Sequence, residues 1–237
     1  MISSLENKTV KELCKLHLKK YRKDAFLLLD ENLIEQAYKH NYLKQIIYTD
    51  KQPFEFDNTL EVSKEVLNKI AGIDNLKYIG VSRMIEENDD YQKRVIILDN
   101  LQDPLNIAKI MEGCLLFGFD SIILSENCAD IYNEKCIRDC KGAIYSLNIK
   151  HGDLKQEIDN LKDKVFKVYA TGLTNNTRFL NEIDHKDKMA FVLGNEGSGV
   201  SKEIMDISDE IIKIDMCNID SLNVAMAASI IMYNFRI

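Results

Sequence analysis

The chain has 237 residues, of which 46% are hydrophobic and 29% are charged, and its formal net charge is −7. This balance is typical of globular proteins and argues against intrinsic disorder, while 10 glycines and 2 prolines exclude collagen-like and proline-rich classes. At roughly 150 residues per domain, the length allows one or two domains.

Residues 1–23 hold seven basic and two acidic side chains, a local charge of +5, which leaves −12 for the rest of the chain. Apolar residues at helical spacing predict an amphipathic helix with a lysine-rich opposite face: Leu5, Val10, Leu13, Leu16 and Leu18. The acidic chain as a whole does not have the overall basic charge that is typical of nucleic-acid-binding proteins. The lysine-rich face is therefore either simply solvated or a local surface for nucleic acid.

Short elements alternate through the remainder of the first half. Apolar runs predict strands at 26–29, 45–48 and 78–82, and helical periodicity predicts helices at 31–39 and 63–70. The acidic stretch IEENDD at 85–90 has no periodicity, so it predicts a linker that divides the chain near residue 90.

The second half alternates more regularly. Strands are predicted at 94–98, 121–124, 143–147, 165–169, 189–193 and 210–214, and helices at 106–117, 133–140, 154–161 and 221–235. Strand–helix alternation over about 140 residues predicts a parallel α/β sheet. Ligands of such sheets bind beyond the carboxyl ends of the strands.

Secretion, membrane insertion and metal binding have no support in the sequence. No apolar run approaches the roughly 18 residues of a membrane-spanning helix, and the first 20 residues have no apolar signal core, so we expect a cytoplasmic protein. The six cysteines form no CxxC motif and are expected to be free thiols. Cys136 and Cys140 share a helical face, but no paired histidines complete a zinc set, so no metal is expected.

Three loops of the second half carry distinctive motifs: residues 98–120 with QDPLN, residues 191–201 with LGNEGSG, and residues 214–235 with DSLNVAMAAS. The glycines of the second loop follow an apolar strand and allow a ligand to approach main-chain N–H groups, although a tight turn explains them equally well. Their spacing is neither GxGxxG nor a phosphate-binding P-loop. Ser221 is a plausible helix N-cap, and the small residues after it allow close packing against the sheet or a second subunit.

In this order and spacing, the three loops resemble the SpoU (TrmH) family of RNA ribose 2'-O-methyltransferases, which belongs to the SPOUT class. The resemblance covers residues 94–237. It implies a C-terminal trefoil-knotted, parallel-sheet α/β methyltransferase domain at 92–237, which binds S-adenosylmethionine and forms a homodimer. Residues 1–88 are similar, more weakly, to a small α/β ribosomal-protein-like RNA-binding domain, through ISSLENKTVKEL, KKYR and FLLLDENLIEQA.

The resemblance also implies roles for single residues. Cofactor-binding positions are Thr171, Gly172, Leu193, Gly194, Asn195, Glu196, Gly197, Ile214, Met216, Ser221, Leu222 and Asn223. Catalytic positions are Asn106, Glu112, Ser221 and Asn223, and RNA-binding positions are Lys11, Lys15, Lys19, Arg22 and Arg138. Ribosomal RNA is the favoured substrate.

The first motif departs from the family pattern NxGxxxR, because Ala108 replaces the glycine and Glu112 replaces the catalytic arginine. Three interpretations stay open: Glu112 is the general base for the ribose 2'-hydroxyl, Arg138 or Arg178 supplies the positive charge, or methyl transfer is lost. The functions to compare are therefore a methyltransferase, a non-catalytic RNA- or cofactor-binding paralogue, and a metabolic α/β enzyme that uses another nucleotide.

Overall fold

The computed structural model describes residues 1–174, 177–217 and 222–237. The chain divides into two compact units, one made of residues 1–85 with 132–145 and the other of residues 86–131 with 146–237. Segment 132–145, which the predicted boundaries assign to the second domain, therefore belongs to the first unit.

The first 85 residues form three helices and four strands: α1 (Lys8–Lys15), β1 (Ala25–Leu28), α2 (Glu31–Lys39), β2 (Leu43–Tyr48), β3 (Thr59–Glu61), α3 (Lys64–Ala71) and β4 (Tyr78–Arg83). The strands form one sheet in the order β1-β4-β2-β3, in which β4 is antiparallel to both β1 and β2. Side chains of Asn7, Asp30 and Ser63 accept backbone N–H donors at the starts of the three helices. The sheet and helices α1 and α3 enclose a core that includes Ile47 and Leu67.

The second half adds seven strands and five helices: β5 (Arg94–Asp99), α4 (Pro104–Phe117), β6 (Ser121–Ser125), α5 (Glu134–Asp139), β7 (Asn148–Gly152), α6 (Leu154–Asp163), β8 (Lys167–Thr171), β9 (Arg178–Phe179), β10 (Met189–Gly194), α7 (Lys202–Ile207), β11 (Glu210–Lys213) and α8 (Val224–Asn234). All but α5 lie in the second unit. Its strands pair in parallel in the order β7-β6-β5-β10-β8-β11-β9. The predicted parallel α/β sheet is therefore present.

Aromatic packing joins the end of the chain to the centre of this sheet. Phe191 of β10 stacks on Tyr169 of β8, with ring centroids 5.4 Å apart, and on Phe235, at 4.8 Å. Arg94 is buried at the start of β5, and its Nε donates to the carbonyl of Phe235 at 2.9 Å. Helix α8 is thereby fixed against β5 and β10.

Several predicted boundaries are wrong for local reasons. The predicted strand at 143–147 is a 3-10 turn at Ala143–Tyr145, because Lys141 (φ 49°) and Gly142 (φ 87°) reverse the chain first, and the strand begins at Asn148. Strand β8 begins two residues later than predicted, since Val165 has a left-handed φ of 67°. The N-terminal helix ends at Lys15, and strands β3 and β9 were not predicted.

Candidate active site

A cavity of about 470 Å³ opens at the carboxyl ends of β8, β10 and β11. This is the edge of a parallel sheet where ligands bind, and the volume is in the range of small-molecule sites. Ten of the sequence-predicted cofactor residues line it: Thr171, Gly172, Leu193, Gly194, Asn195, Glu196, Gly197, Ile214, Met216 and Leu222. The structure therefore brings three separate loops to one cavity, and their role in binding stays a prediction. Ser221 lies outside the described residues.

The LGNEGSG loop is a tight hairpin. Asn195 and Gly199 exchange two backbone hydrogen bonds, at 3.1 and 2.9 Å, and the Asn195 side-chain oxygen accepts the N–H of Gly197 at 2.9 Å. A Cβ on Gly194 would lie 2.0 Å from the Gly199 carbonyl carbon, so no other residue fits there without moving the loop. The glycines thus both close the turn and leave its main chain open to the cavity.

Glu196, at the tip of this hairpin, is tied to the start of α4. Its carboxylate accepts the side-chain N–H of Asn106 at 3.1 Å and the backbone N–H groups of Asp103 at 3.2 Å and Gln102 at 3.3 Å. Partial burial raises the pKa of Glu196, but these donors outweigh burial and lower its pKa below the ordinary value. The carboxylate is therefore held in its charged form.

Asn106 and Asn223 extend this contact to the start of α8. The Asn106 side-chain oxygen accepts the Asn223 side-chain N–H at 3.1 Å. The Asn223 oxygen accepts the N–H groups of Ala225 at 2.9 Å and Met226 at 3.3 Å, which makes Asn223 the N-cap of α8. The interpretation of Ser221 as the N-cap is therefore wrong, and the helix begins at Val224 instead of residue 221.

A groove of about 620 Å³ runs between α4 and α8 beside these amides. Lys109 and Glu112 lie in it one and two turns beyond Asn106, and Lys109 Nζ lies 3.1 Å from the Glu112 carboxylate. Glu112 is three-quarters buried, with 24% of its side chain exposed. A carboxylate next to a lysine therefore occupies the position where the family pattern has arginine.

The two alternative cations each contact a carboxylate of this chain. Arg138 lies 2.9 Å from Asp139, and Arg178 lies 2.8 Å from Glu210. Arg138 belongs to the first unit and Arg178 to the second. Whether either one acts in place of the missing arginine stays a prediction.

The predicted RNA-binding residues all lie in the first unit. Lys15 and Lys19 are exposed, and Lys15 Nζ lies 5.4 Å from the Tyr21 ring centroid. Lys11 pairs with Glu6. Arg22 donates to the carbonyls of Leu16 at 3.1 Å and His17 at 3.0 Å, so its guanidinium also closes the end of α1.

The structure also reports on thiols, metals and membrane helices. All six cysteines are free, and Cys136 and Cys140 are buried. Within residues 1–174, 177–217 and 222–237, no three histidine, cysteine or acidic side chains are grouped to hold a metal ion. In the same ranges no helix has the length and apolar content to span a membrane.

Comparison with known proteins decides the family. The model of the SpoU rRNA Methylase family matches residues 93–233, more than half of the chain. The chain belongs to this family. The resemblance inferred from QDPLN, LGNEGSG and DSLNVAMAAS is thereby confirmed.

One relative matches this SpoU chain along nearly its full length. It is the 23S rRNA (guanosine(2553)-2'-O)-methyltransferase RlmP of Bacillus subtilis (strain 168), which is 30% identical over 99% of this chain and 98% of its own.

Solved structures agree on the fold. An rRNA methyltransferase from Sinorhizobium meliloti has a TM-score of 0.87 at 23% identity, covering 98% of this chain and 95% of its own. The SpoU methyltransferase AviRb from Streptomyces viridochromogenes, in complex with AdoMet, has a TM-score of 0.85 at 18% identity, covering 97% of each chain. At these identities the two structures show the fold alone.

Sequence reasoning missed several residues of this SpoU site. Met205 of α7 and Lys213 of β11 line the cavity, and Lys109 faces Glu112 in the groove. Lys109 stands three positions before Glu112, a spacing that places both on one helical face, so that pair could have been recognised. Met205 carries no comparable signal, because only the tertiary fold brings α7 to the loop after β8.

Proposed function

We propose that this chain is an S-adenosylmethionine-dependent ribose 2'-O-methyltransferase that acts on RNA, with ribosomal RNA as the substrate. The observation that carries the proposal is the continuous contact from the cavity through Glu196 to Asn106 and Asn223. It connects a nucleoside-sized cavity to polar side chains in the groove beside it. The substrate named for the Bacillus subtilis relative supports the choice of ribosomal RNA.

The residues present fit the cofactor. The cavity combines apolar walls, such as Leu193, Ile214 and Leu222, with main chain exposed at the LGNEG hairpin, which suits a nucleoside with polar edges. In our proposal the main chain of Ile214 and Met216, which line the cavity, would hold the adenine, so the identity of these side chains would matter little. When bound, S-adenosylmethionine supplies an electrophilic methyl group.

The protein's own contribution is to position groups and to accept a proton. Asn106 and Asn223 hold each other and Glu196 in one arrangement, which orients whatever binds between α4 and α8. The Glu112 carboxylate takes the proton of the ribose 2'-hydroxyl, while Lys109, 3.1 Å from that carboxylate, offers a cation to the neighbouring phosphate. Ser221 completes the proposed set from sequence resemblance alone.

A second candidate function follows from the same position. The carboxylate of Glu112 reverses the charge that the family pattern places there, and near a phosphate this costs binding energy. A non-catalytic paralogue that binds RNA or the cofactor is therefore the alternative.

The assembly that we propose is a homodimer built on α4 and α8. Large apolar side chains stay exposed on these two helices: Leu115, Leu116, Met226, Ile230 and Tyr233. A monomeric protein rarely exposes such a continuous apolar surface. We further propose a trefoil knot, supported by the position of β10 between β5 and β8, which returns the chain to the centre of the sheet.

The first unit is proposed as the RNA-binding domain of a cytoplasmic protein. Its basic N-terminal segment, with Lys11, Lys15, Lys19 and Arg22, supports this assignment, as does the presence of Arg138 in the same unit. The proposed functional domains are 1–88 for RNA binding and 92–237 for methyl transfer, with segment 132–145 of the latter packed in the first unit.

The test is transfer of a tritiated methyl group from S-adenosylmethionine to ribosomal RNA, followed by mapping of 2'-O-methyl positions with and without the protein. We expect incorporation that Asn106→Ala or Asn223→Ala abolishes. Binding of S-adenosylhomocysteine without incorporation into any cellular RNA would instead support the non-catalytic paralogue.

A further inference from the structure

Four planar side chains of the first unit, none of them in the basic segment at residues 1–23, lie in successive contact. The His40 ring stacks on Tyr145, with centroids 6.2 Å apart and planes 23° apart, and Tyr42 lies 5.4 Å from Tyr145. The Arg83 guanidinium lies over the Tyr42 ring at 5.8 Å. His40 and Arg83 are exposed and Tyr42 is half-buried. We call these four residues the planar stack.

The planar stack is rigid at its base. Tyr145 is 7% exposed, and its hydroxyl donates to the hydroxyl of Ser82, a fully buried residue, at 3.0 Å. The turn before Tyr42 is fixed at Asn41, which has a φ of 61°, and the Tyr42 N–H donates to the Ala37 carbonyl at 2.8 Å. The half-buried Tyr42 ring and the buried Tyr145 ring are therefore held in place without a ligand, which lowers the entropy cost of binding one.

The Arg83 guanidinium donates to the Asn41 carbonyl. Among the described residues it forms no ion pair with a carboxylate. A cation with a flat face, in the same stack as the exposed His40 ring, suits a ligand that is both planar and anionic.

We propose that the planar stack binds unpaired bases of an RNA strand, with Arg83 also facing its phosphates. This inference rests on the proposed function, because it names the feature of the RNA substrate that the first unit recognises. Exposed aromatic and guanidinium planes stack on splayed single-stranded bases, whereas the bases of a duplex already stack on one another. The observations therefore favour a single-stranded loop or bulge over a duplex.

The experiment measures binding of a fluorescent single-stranded RNA of about 12 nucleotides, and of the same strand in a duplex, to the full chain. His40→Ala, Tyr42→Ala and Arg83→Ala should each weaken single-strand binding about tenfold, the effect of losing one base stack, and should change duplex binding little. Tyr38→Ala and Lys51→Ala are matched controls, because they remove an exposed ring and an exposed charge elsewhere in the same unit.

Two further measurements separate stacking from charge. Arg83→Lys keeps the cation but loses the plane, so it should lose nearly as much affinity as Arg83→Ala. A 2-aminopurine base in the RNA should be quenched by the unmodified chain and less so by Tyr42→Ala. Unchanged single-strand affinity in all three alanine variants would overturn the proposal. Equal losses of affinity for the single strand and the duplex would also overturn it. So would alanine variants whose only change is in the oligomeric mass of the protein.

Methyl transfer and S-adenosylhomocysteine binding, measured in parallel, keep this inference separate from the proposed function. If the chain methylates RNA and the alanine variants do so with the same kcat/KM and the same RNA affinity, RNA binding by the planar stack is refuted and the proposed function stands. If the chain transfers no methyl group but binds single strands through these residues, the proposed function fails and RNA binding by the planar stack stands.

Discussion

Asn106 uses both ends of its side-chain amide inside the protein, donating to Glu196 and accepting from Asn223. Its orientation is therefore set before any ligand arrives, and so is the orientation of the two residues that it contacts. The hydrogen bond to Asn223 joins positions 117 apart in the chain, and the one to Glu196 joins positions 90 apart. Substitution at any of the three should disturb the other two.

Glu196→Gln should lower the stability of the fold by about 1 kcal/mol at neutral pH, because the carboxylate accepts three hydrogen bonds but remains solvent-exposed. Since its pKa is lowered in the folded state, the contribution is complete above the unfolded pKa of about 4.3 and disappears as pH falls through the folded pKa. Urea unfolding at several pH values measures the difference. A gap between the two proteins that does not shrink in acid would contradict this account.

Glu112→Gln should lower methyl transfer on the order of 10²-fold or more, the usual contribution of a general base, with S-adenosylhomocysteine affinity unchanged. Lys109→Met is the companion variant, since Lys109 contacts this carboxylate, and it should cost less. Glu112→Arg is the decisive comparison. Transfer that appears only in the arginine variant would favour the non-catalytic paralogue.

At the residue scale, the sequence predicted which residues come together at one cavity better than it predicted the contacts that they make. Ten predicted cofactor residues line one cavity because they follow strands whose carboxyl ends share an edge. The contacts of Asn223 could not be predicted in the same way. Its side chain can cap a helix or reach a distant partner, and only the packing of α8 beside α4 allows it to do both.

At the element scale, α4 and α8 expose the apolar surface that a second subunit would bury. Ile230→Asp should convert the proposed dimer to a monomer at micromolar concentration, because a charge at such an interface loses its water without gaining a partner. Sedimentation should then give a mass near 27.3 kDa instead of twice that value. Val165→Asp, on an exposed residue elsewhere, is the control, and a mass of 27.3 kDa for the unmodified chain would refute the dimer.

Elements were predictable where caps and apolar runs agree. Helix α4 ends before Gly118 as predicted, but it begins at Pro104, after the Asp103 cap, and the predicted start at residue 106 is wrong. The predicted strand at 143–147 fails because Ala-Ile-Tyr has the composition of a strand, while the positive φ of Lys141 and Gly142 directs these residues into a turn. The predicted start of a strand at Val165 is wrong for the same reason, because Val165 has a left-handed φ, which β-branched residues rarely adopt.

At the scale of the whole molecule, charge is divided between a basic N-terminal segment and an acidic remainder. Lys15→Ala and Lys19→Ala should each weaken RNA binding across sequences and reduce the slope of log affinity against log salt by about 1. Fluorescence titrations at several salt concentrations measure this slope. Lys155→Ala, which removes a lysine paired with Glu203 in the second unit, should leave it unchanged. Equal slopes for all three variants would remove the basic segment from the RNA surface.

The passage of residues 132–145 through the first unit has a consequence for dissecting the protein. The backbone crosses from one unit to the other three times, near residues 85, 131 and 145. A protease that cuts once in the acidic stretch at 85–90 would therefore give two polypeptides, which only the packing of segment 132–145 with residues 1–85 would hold together. A fragment starting at residue 90 would carry Tyr132 and Tyr145 without the Phe26 ring and Ser82 hydroxyl that they contact. Without these contacts, the segment would expose apolar surface to solvent and promote aggregation of the truncated chain.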